Sequence, residues 1–199
     1  MTTDDEFEGD DDGDFDEDDA AIARFRAAEQ RVLNTPPRCL AGFTLEPSPL
    51  KNYPFDGHGE PLNKVYRLRC PCGHDRFLTL GHHLTNEGTP IFVSPLALEC
   101  AACRKVTELI DTDRHGYDAE VGVMTTTIRG TGPRTAFACD RCGVRPTTAH
   151  ARFEHSGETL EDSTGEWTGN EPNLFTWFSL VGECTGCNRL LAIADFECA

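Results

Sequence analysis

The sequence lacks any long apolar run, and its first residues lack the features of a secretory signal. No stretch approaches the roughly 20 apolar residues that a helix needs to cross a bilayer. The N-terminus opens with Asp and Glu, where a signal peptide would carry a basic region and then an apolar one. We therefore expect a protein of the cytoplasm, where disulfides are rare.

The motifs of common enzyme classes are also missing. The chain has no HExxH motif, Walker loop, nucleophile elbow or dinucleotide-binding glycine pattern. The nearest approach is His58-Gly59-Glu60 followed by Pro71-Cys72, which partly matches the zinc deaminase motif. The second cysteine of that motif is absent from Pro71-Cys72-Gly73-His74, and the intervening chain is short. We therefore expect a non-enzymatic protein, with a zinc-dependent hydrolase or deaminase as the weakest alternative.

Basic residues are absent from residues 1–19, which hold 12 of the 34 acidic residues of the chain. The remainder carries 22 acidic and 18 basic residues, so most of the net charge of −16 belongs to this one segment. Its like charges repel each other, and it has little apolar surface to bury. We expect residues 1–19 to form a disordered acidic tail.

What the chain does contain is ten cysteines, eight of which fall into two consecutive quartets. The quartets are Cys70, Cys72, Cys100 and Cys103, and then Cys139, Cys142, Cys184 and Cys187. Each quartet is two close pairs separated by a long arm, a spacing that suits a tetrahedral metal site. We predict two zinc ions per chain, and because four thiolates leave no coordination position open, we expect both sites to be structural.

Some ligand assignments have alternatives. Cys70 and Cys72 are separated by one residue where a usual knuckle has two, so His74 could replace one of them. Cys39 and Cys198 lie outside the quartets; we expect free or buried thiols, with Cys39 as an alternative ligand. The competing interpretations are disulfides, which need an oxidising compartment, and a redox pair, which needs a strand-to-helix junction where this sequence predicts strands.

The two quartets align as copies of one unit. Glu99-Cys100-x-x-Cys103 and Glu183-Cys184-x-x-Cys187 are each followed by an aspartate, Asp111 or Asp195, eight positions after the last cysteine. Apolar segments of strand type occupy the interval in both copies. An internal duplication is the simplest interpretation.

This order of knuckle, β-hairpin and knuckle resembles the zinc ribbon, or rubredoxin-like, group over about residues 65–199. The resemblance implies a mostly β protein, with two tandem four-cysteine zinc ribbons at 65–118 and 119–199 joined in one small β domain. The second ribbon has 41 residues between its cysteine pairs against 27 in the first, and an insertion around 157–173 accounts for the difference.

Ahead of the ribbons, the pattern predicts one short amphipathic helix at 20–34 and an extended, Pro-rich segment at 35–64 that wraps the first ribbon. The apolar stripe of the helix, Ile22, Phe25, Ala28 (or Glu29) and Val32, is expected to pack on the ribbons, with binding to a partner as the alternative. Strands are predicted at 65–69, 76–80, 91–98, 106–110, 120–128, 149–155, 175–181 and 190–194. We expect the strand at 120–128 to join the two ribbons into one sheet.

Six basic residues lie within three positions of an expected ligand: Arg69, Arg104, Lys105, Arg141, Arg145 and Arg189. They either balance the negative charge of the zinc thiolates or form a stripe that contacts phosphates. The acidic tail opposes approach to a polyanion. A protein partner with a basic surface is therefore the leading hypothesis, for an adaptor, an accessory subunit or an inhibitor or immunity-type protein. A nucleic-acid-binding ribbon of a DNA or RNA machine is the alternative.

Overall fold

The computed structural model describes residues 15–50, 62–84, 91–124, 127–163 and 165–199. Its α-helices are α1 (Phe15–Asn34), α2 (Tyr117–Val121) and α3 (Gly157–Asp162), and single 3-10 turns lie at Arg38–Leu40 and Glu171–Asn173. The strands are β1 (Thr44–Pro47), β2 (Leu62–Arg69), β3 (Phe77–His83), β4 (Phe92–Cys100), β5 (Val106–Ile110), β6 (Thr135–Ala136), β7 (His150–His155), β8 (Trp177–Glu183) and β9 (Leu190–Glu197). The predicted mostly β fold is confirmed.

All nine of these strands belong to one sheet, in the order β1-β2-β7-β8-β9-β4-β3-β6, with β5 paired to β4. Neighbouring strands are antiparallel, except that β4 and β9 are parallel where Phe92 meets Ala194. The first unit, β2 to β5, and the second unit, β6 to β9, therefore share a single sheet. This confirms the prediction of one β domain.

The first strand of each unit pairs with a strand of the other unit. β2, which leads into Cys70, pairs with β7 of the second unit, from Leu62 opposite His155 to Arg67 opposite His150. β6, which precedes Cys139, pairs with β3 of the first unit. The backbone N–H of Leu68 donates to the carbonyl of Ala149 at 2.9 Å, and that of Phe137 donates to Thr79 at 2.8 Å. The two units are thus intertwined by a reciprocal exchange of strands.

The hairpins that carry the second cysteine pair of each unit have the same register. In both hairpins the strand register shifts at the same place, between the third and fourth residue pairs. Counted from Cys100 and Cys184, the corresponding pairs are Glu99–Val106 and Glu183–Leu190, Leu98–Thr107 and Gly182–Leu191, Ala97–Glu108 and Val181–Ala192, and Leu96–Ile110 and Leu180–Ala194. The gapless alignment of the sequence therefore extends to strand pairing.

The segment at 120–128 does not form the predicted strand. Glu120 and Val121 belong to α2, and none of the described residues of this range lies in a strand. Gly116 and Gly122 flank the helix at φ values of 96° and 76°, which permit the chain to enter and leave a single helical turn. The prediction was wrong because alternating polarity outweighed these two glycines. The exchanged strands, and not 120–128, join the units.

α1 begins five residues before the predicted start at residue 20. Residues 15–19, assigned from sequence to a disordered tail, are helical, and residues 1–14 lie outside the described residues. The first turn of α1 is acidic from Asp16 to Asp19, which is the charge that a helix N-terminus favours. The run of acidic residues was assigned from the sequence to the tail, so the helix was predicted too short.

The C-terminal half of α1 packs on both units. Ala28 and Val32 are buried against Leu62 of β2 and Leu160 of α3. These contacts use the apolar stripe expected from the sequence. α3 and the turn at Glu171–Asn173 lie between β7 and β8, in the range where the extra residues of the second unit were predicted.

Candidate metal centres

The eight predicted ligands come together as two groups of four. In the first, the Sγ atoms of Cys70 and Cys103, and those of Cys72 and Cys100, are 3.6 Å apart. In the second, the sulfurs of Cys139 and Cys187 are 3.7 Å apart, and those of Cys142 and Cys184 are 3.4 Å apart. All four sulfurs of each group lie within 4.8 Å of one another.

These separations fit a shared metal ion and exclude disulfides. A disulfide would bring two sulfurs to about 2.05 Å, and all ten cysteines are free. A tetrahedral ion with metal–sulfur bonds of about 2.3 Å places its ligands about 3.8 Å apart, close to the observed values. Each cluster could therefore hold one metal ion.

The first cysteine pair of each unit lies on a tight turn closed by backbone hydrogen bonds. In the first unit, the N–H of Cys70 donates to the carbonyl of His74 at 2.8 Å, and Gly73 N–H donates back to Cys70 at 2.8 Å. The second unit repeats this closure with one more residue between the cysteines, because Cys139 N–H donates to Val144 at 3.0 Å. The shortened first knuckle is therefore completed in the same way as the longer one.

His74 does not join the first cluster. Its imidazole is exposed and lies outside the group of four sulfurs, whereas Cys70 and Cys72 both belong to that group. The contribution of His74 is made through its backbone: its carbonyl closes the turn, and its N–H binds the sulfur of Cys72, which lowers the pKa of that thiol to about 6.

The second cysteine pair of each unit lies on an equivalent turn between hairpin strands. Cys100 N–H donates to the carbonyl of Lys105, and Cys184 N–H to that of Arg189, both at 2.9 Å. The residue before each of these acceptors, Arg104 or Asn188, has a positive φ of 64° or 55°. Non-glycine residues seldom adopt this conformation, so both hairpins accept some backbone strain to present their cysteines.

Burial divides the ligands in the same way at both sites. Cys70, Cys100, Cys139 and Cys184 are buried and belong to the main apolar cluster of the protein. The other cysteine of each pair is exposed or half-buried. Each candidate site therefore lies at the boundary between core and solvent. An ion bound there would connect the two turns that carry the cysteine pairs. Without it, only the buried cysteine of each turn is held by the core.

The six basic residues near the clusters fall into two groups. Three form ion pairs with acidic side chains: Arg69 with Glu46 at 2.7 Å, Arg104 with Glu99 at 2.7 Å, and Arg189 with Asp140 at 3.0 Å. The other three, Lys105, Arg141 and Arg145, are exposed. Half of the expected basic stripe is thus neutralised by carboxylates of the same chain.

The two remaining cysteines lie away from the clusters. Cys39 is buried among core residues and burial raises its pKa to about 12, while burial raises the pKa of Cys198 well above its ordinary value. Neither thiol is within the two groups of sulfurs that could bind a metal. Both are buried free thiols, as the sequence predicted.

The aspartates that mark the repeat have roles that the sequence analysis missed. Asp195 accepts hydrogen bonds from Trp177 Nε1 and Ser179 Oγ, both at 2.7 Å. Asp111, its counterpart, accepts one from Arg129 at 2.5 Å. Each carboxylate ties the last strand of its unit to another part of the chain. Their common position after the cysteines was visible in the sequence, but their partners were not.

Comparisons with known proteins do not assign the chain to a family. No model of a protein family matches the chain, and no similar protein is found among curated proteins or solved structures. Within the part of the chain that the structure describes, no helix is both long and apolar enough to span a membrane. The fold and the clusters define a β protein with two zinc-ribbon-like sites, each able to hold a metal ion.

Proposed function

We propose that each cluster binds one structural zinc ion and that the protein acts without catalysis, by binding a protein partner with a basic surface. The observation that carries the first part is the pair of closed four-sulfur groups. Four thiolates fill a tetrahedral shell and leave no position for water or substrate. Zinc bound there would supply folding energy, on the order of 10–16 kcal/mol per structural site.

The ligands themselves favour zinc or iron over calcium and magnesium, and zinc is the metal that we propose. Tetrahedral sets of four thiolates suit zinc or iron, whereas calcium and magnesium require oxygen ligands. The matching hairpin registers support the interpretation that one metal-binding unit was duplicated. Elemental analysis of the purified protein tests the metal directly: two equivalents of zinc support the proposal, and iron with visible thiolate absorption contradicts it.

The choice of a protein partner rests on charge. The chain has a net charge of −16, with 12 acidic and no basic residues in its first 19 positions. Arg69, Arg104 and Arg189, which could have faced phosphates, are paired with carboxylates. A basic protein surface is attracted by this distribution, while a nucleic acid is repelled. An adaptor, an accessory subunit or an inhibitor or immunity-type protein is consistent with it.

Nucleic-acid binding is the second candidate, because Lys105, Arg141 and Arg145 stand exposed beside the two clusters. Affinity purification from the native cell separates the candidates. Full-length protein and a variant lacking residues 1–14 are used as bait, and half of each sample is treated with nuclease. A stoichiometric protein that survives nuclease supports the first candidate. Recovery that depends on nucleic acid supports the second and contradicts the first.

A further inference from the structure

The apolar stripe of α1 is covered along only half of its length. Ala28 and Val32 are 0% and 2% exposed, whereas Ile22, on the same stripe, is 49% exposed. Phe25 between them is half-buried. A helix that only packed on the sheet would have no reason to continue its apolar face into solvent. The uncovered half is therefore a surface available to another molecule.

This uncovered half forms one wall of a groove. The groove has a volume of about 540 Å³ and is lined by Ala21, Ile22, Phe25, Arg26 and Glu29 of α1 and by Glu161 of α3. A volume of this size is within the range of about 300–1,000 Å³ that is usual for pockets that bind ligands. Its lining combines the apolar side chains of Ile22 and Phe25 with the carboxyl groups of Glu29 and Glu161.

The charge around the groove selects the occupant. Residues 1–19 run directly into the groove-bearing half of α1, and they contain 12 acidic residues and no basic ones. An acidic segment of the same chain would be repelled there. A second copy of α1 would bring two acidic N-terminal segments together. A basic segment of another protein is attracted by the same residues.

We propose that this groove binds an amphipathic helix of a partner protein, with the apolar side chains of that helix against Ile22 and Phe25 and its lysines and arginines near the carboxylates of Glu29 and Glu161. The net negative charge of residues 1–19 adds to the attraction. Such helix-in-groove recognition uses apolar anchors one helical turn apart. The inference rests on the proposed function, because it names the surface and the chemistry by which a basic partner would be held.

The experiment uses synthetic peptides and the full-length, metal-loaded protein. The probe is a fluorescein-labelled peptide of about 18 residues, long enough for a helix, with leucines on one face and lysines on the other. Matched peptides replace the lysines with glutamates, or the leucines with serines. Binding is measured by fluorescence anisotropy at low and at physiological ionic strength. Ile22→Ser is compared with Val106→Ser, because Val106 is also 49% exposed but lies on β5, away from the groove.

The Leu/Lys peptide is expected to bind the wild type and both control peptides to bind far less. Ile22→Ser should weaken binding about tenfold, which corresponds to about 1.4 kcal/mol, and Val106→Ser should leave it unchanged. Arg26→Glu should tighten binding, since Arg26 is the one basic side chain among the described residues that line the groove. Deletion of residues 1–14 should weaken it, because acidic residues are lost.

Four results would overturn the proposal. One is equal binding by the wild type and Ile22→Ser. Another is tighter binding after deletion of residues 1–14, which would show that this segment occupies the groove. The third is a wild-type dimer in sedimentation that Ile22→Ser converts to a monomer. A nuclease-resistant partner that still binds Ile22→Ser would leave the proposed function standing while rejecting the groove, so the two failures are distinguishable.

Discussion

Phe77 and Thr147 bind each other through a reciprocal pair of backbone hydrogen bonds, each N–H donating to the other carbonyl at 2.9 Å. Phe77 also pairs with Cys100, and Thr147 with Cys184, so each residue touches a ligand of its own unit. The two residues occupy equivalent places after the first knuckle of their units. This contact relates the candidate sites by a local two-fold arrangement and connects them through the backbone.

Cys139→Ser is expected to remove one metal ion and to destabilise both units. The substitution leaves three thiolates at the second site. Strand β6 leads into this knuckle and pairs with β3 of the first unit, so the loss of metal should also weaken the first unit. Metal content should fall from two ions to one, and the variant should melt in one broad transition at a lower temperature. Elemental analysis and thermal unfolding followed by circular dichroism measure these effects.

Cys39→Ala is the matched control, since Cys39 is a buried cysteine outside both clusters. It should keep both metal ions. If Cys139→Ser kept two ions per chain, the assignment of the second ligand set would be wrong.

Gly182→Ala is expected to destabilise the protein by about 3 kcal/mol, the upper end of the cost of overpacking. A Cβ atom at Gly182 would lie 2.1 Å from the carbonyl oxygen of Thr148, and a backbone atom cannot move aside as a side chain can. Gly157→Ala is the control, because a Cβ at Gly157 meets nothing within 4 Å. Urea unfolding should show a lower midpoint for Gly182→Ala alone. Equal midpoints would contradict the close approach of Gly182 to the backbone of Thr148.

Arg31→Ala is expected to lower the free energy of unfolding by about 2 kcal/mol, less than the loss of a fully buried ion pair because Arg31 is partly exposed. Arg31 donates two hydrogen bonds to Glu171, at 2.9 and 2.6 Å, and the Glu171 side chain is 0% exposed. Removing the arginine leaves this carboxylate without its cation. Arg24→Ala, an exposed change on the same helix, should have little effect in the same denaturation assay.

His155 makes the stability depend on pH. Its imidazole is 1% exposed, and burial lowers its pKa to about 4 against about 6.5 in an unfolded chain. Between these values the unfolded state binds more protons than the folded state, so stability falls as the pH is lowered from about 6.5 to 4. The contribution of this one group amounts to about 3 kcal/mol.

His155→Gln removes the titrating group while keeping a side chain of similar size. The variant should lose less stability than the wild type between pH 6.5 and 4, although His150, whose pKa burial also lowers to about 4, still contributes. The comparison requires that metal content is measured at each pH, because protonation of thiolates also releases metal. Parallel pH profiles for the two proteins would count against a neutral, buried His155.

The sequence was a good guide to the metal clusters and a poor guide to strand pairing. The spacing of Cys139, Cys142, Cys184 and Cys187 sufficed to predict which sulfurs meet, because each pair lies on one turn. It could not predict that β2 pairs with β7, since a strand carries no local mark of a distant partner. The helix at Tyr117–Val121 was missed because its flanking glycines are a weaker signal than alternating polarity.

The exchange of β2 and β6 has a consequence for how the protein assembles. A chain with only one cysteine quartet would lack the strand of the other unit that pairs with its first strand, and two such chains would have to meet in solution to complete each other. Here both halves are on one polypeptide, so the encounter is intramolecular, at an effective concentration in the millimolar range for a short linker. Folding is then independent of how dilute the protein is in the cell.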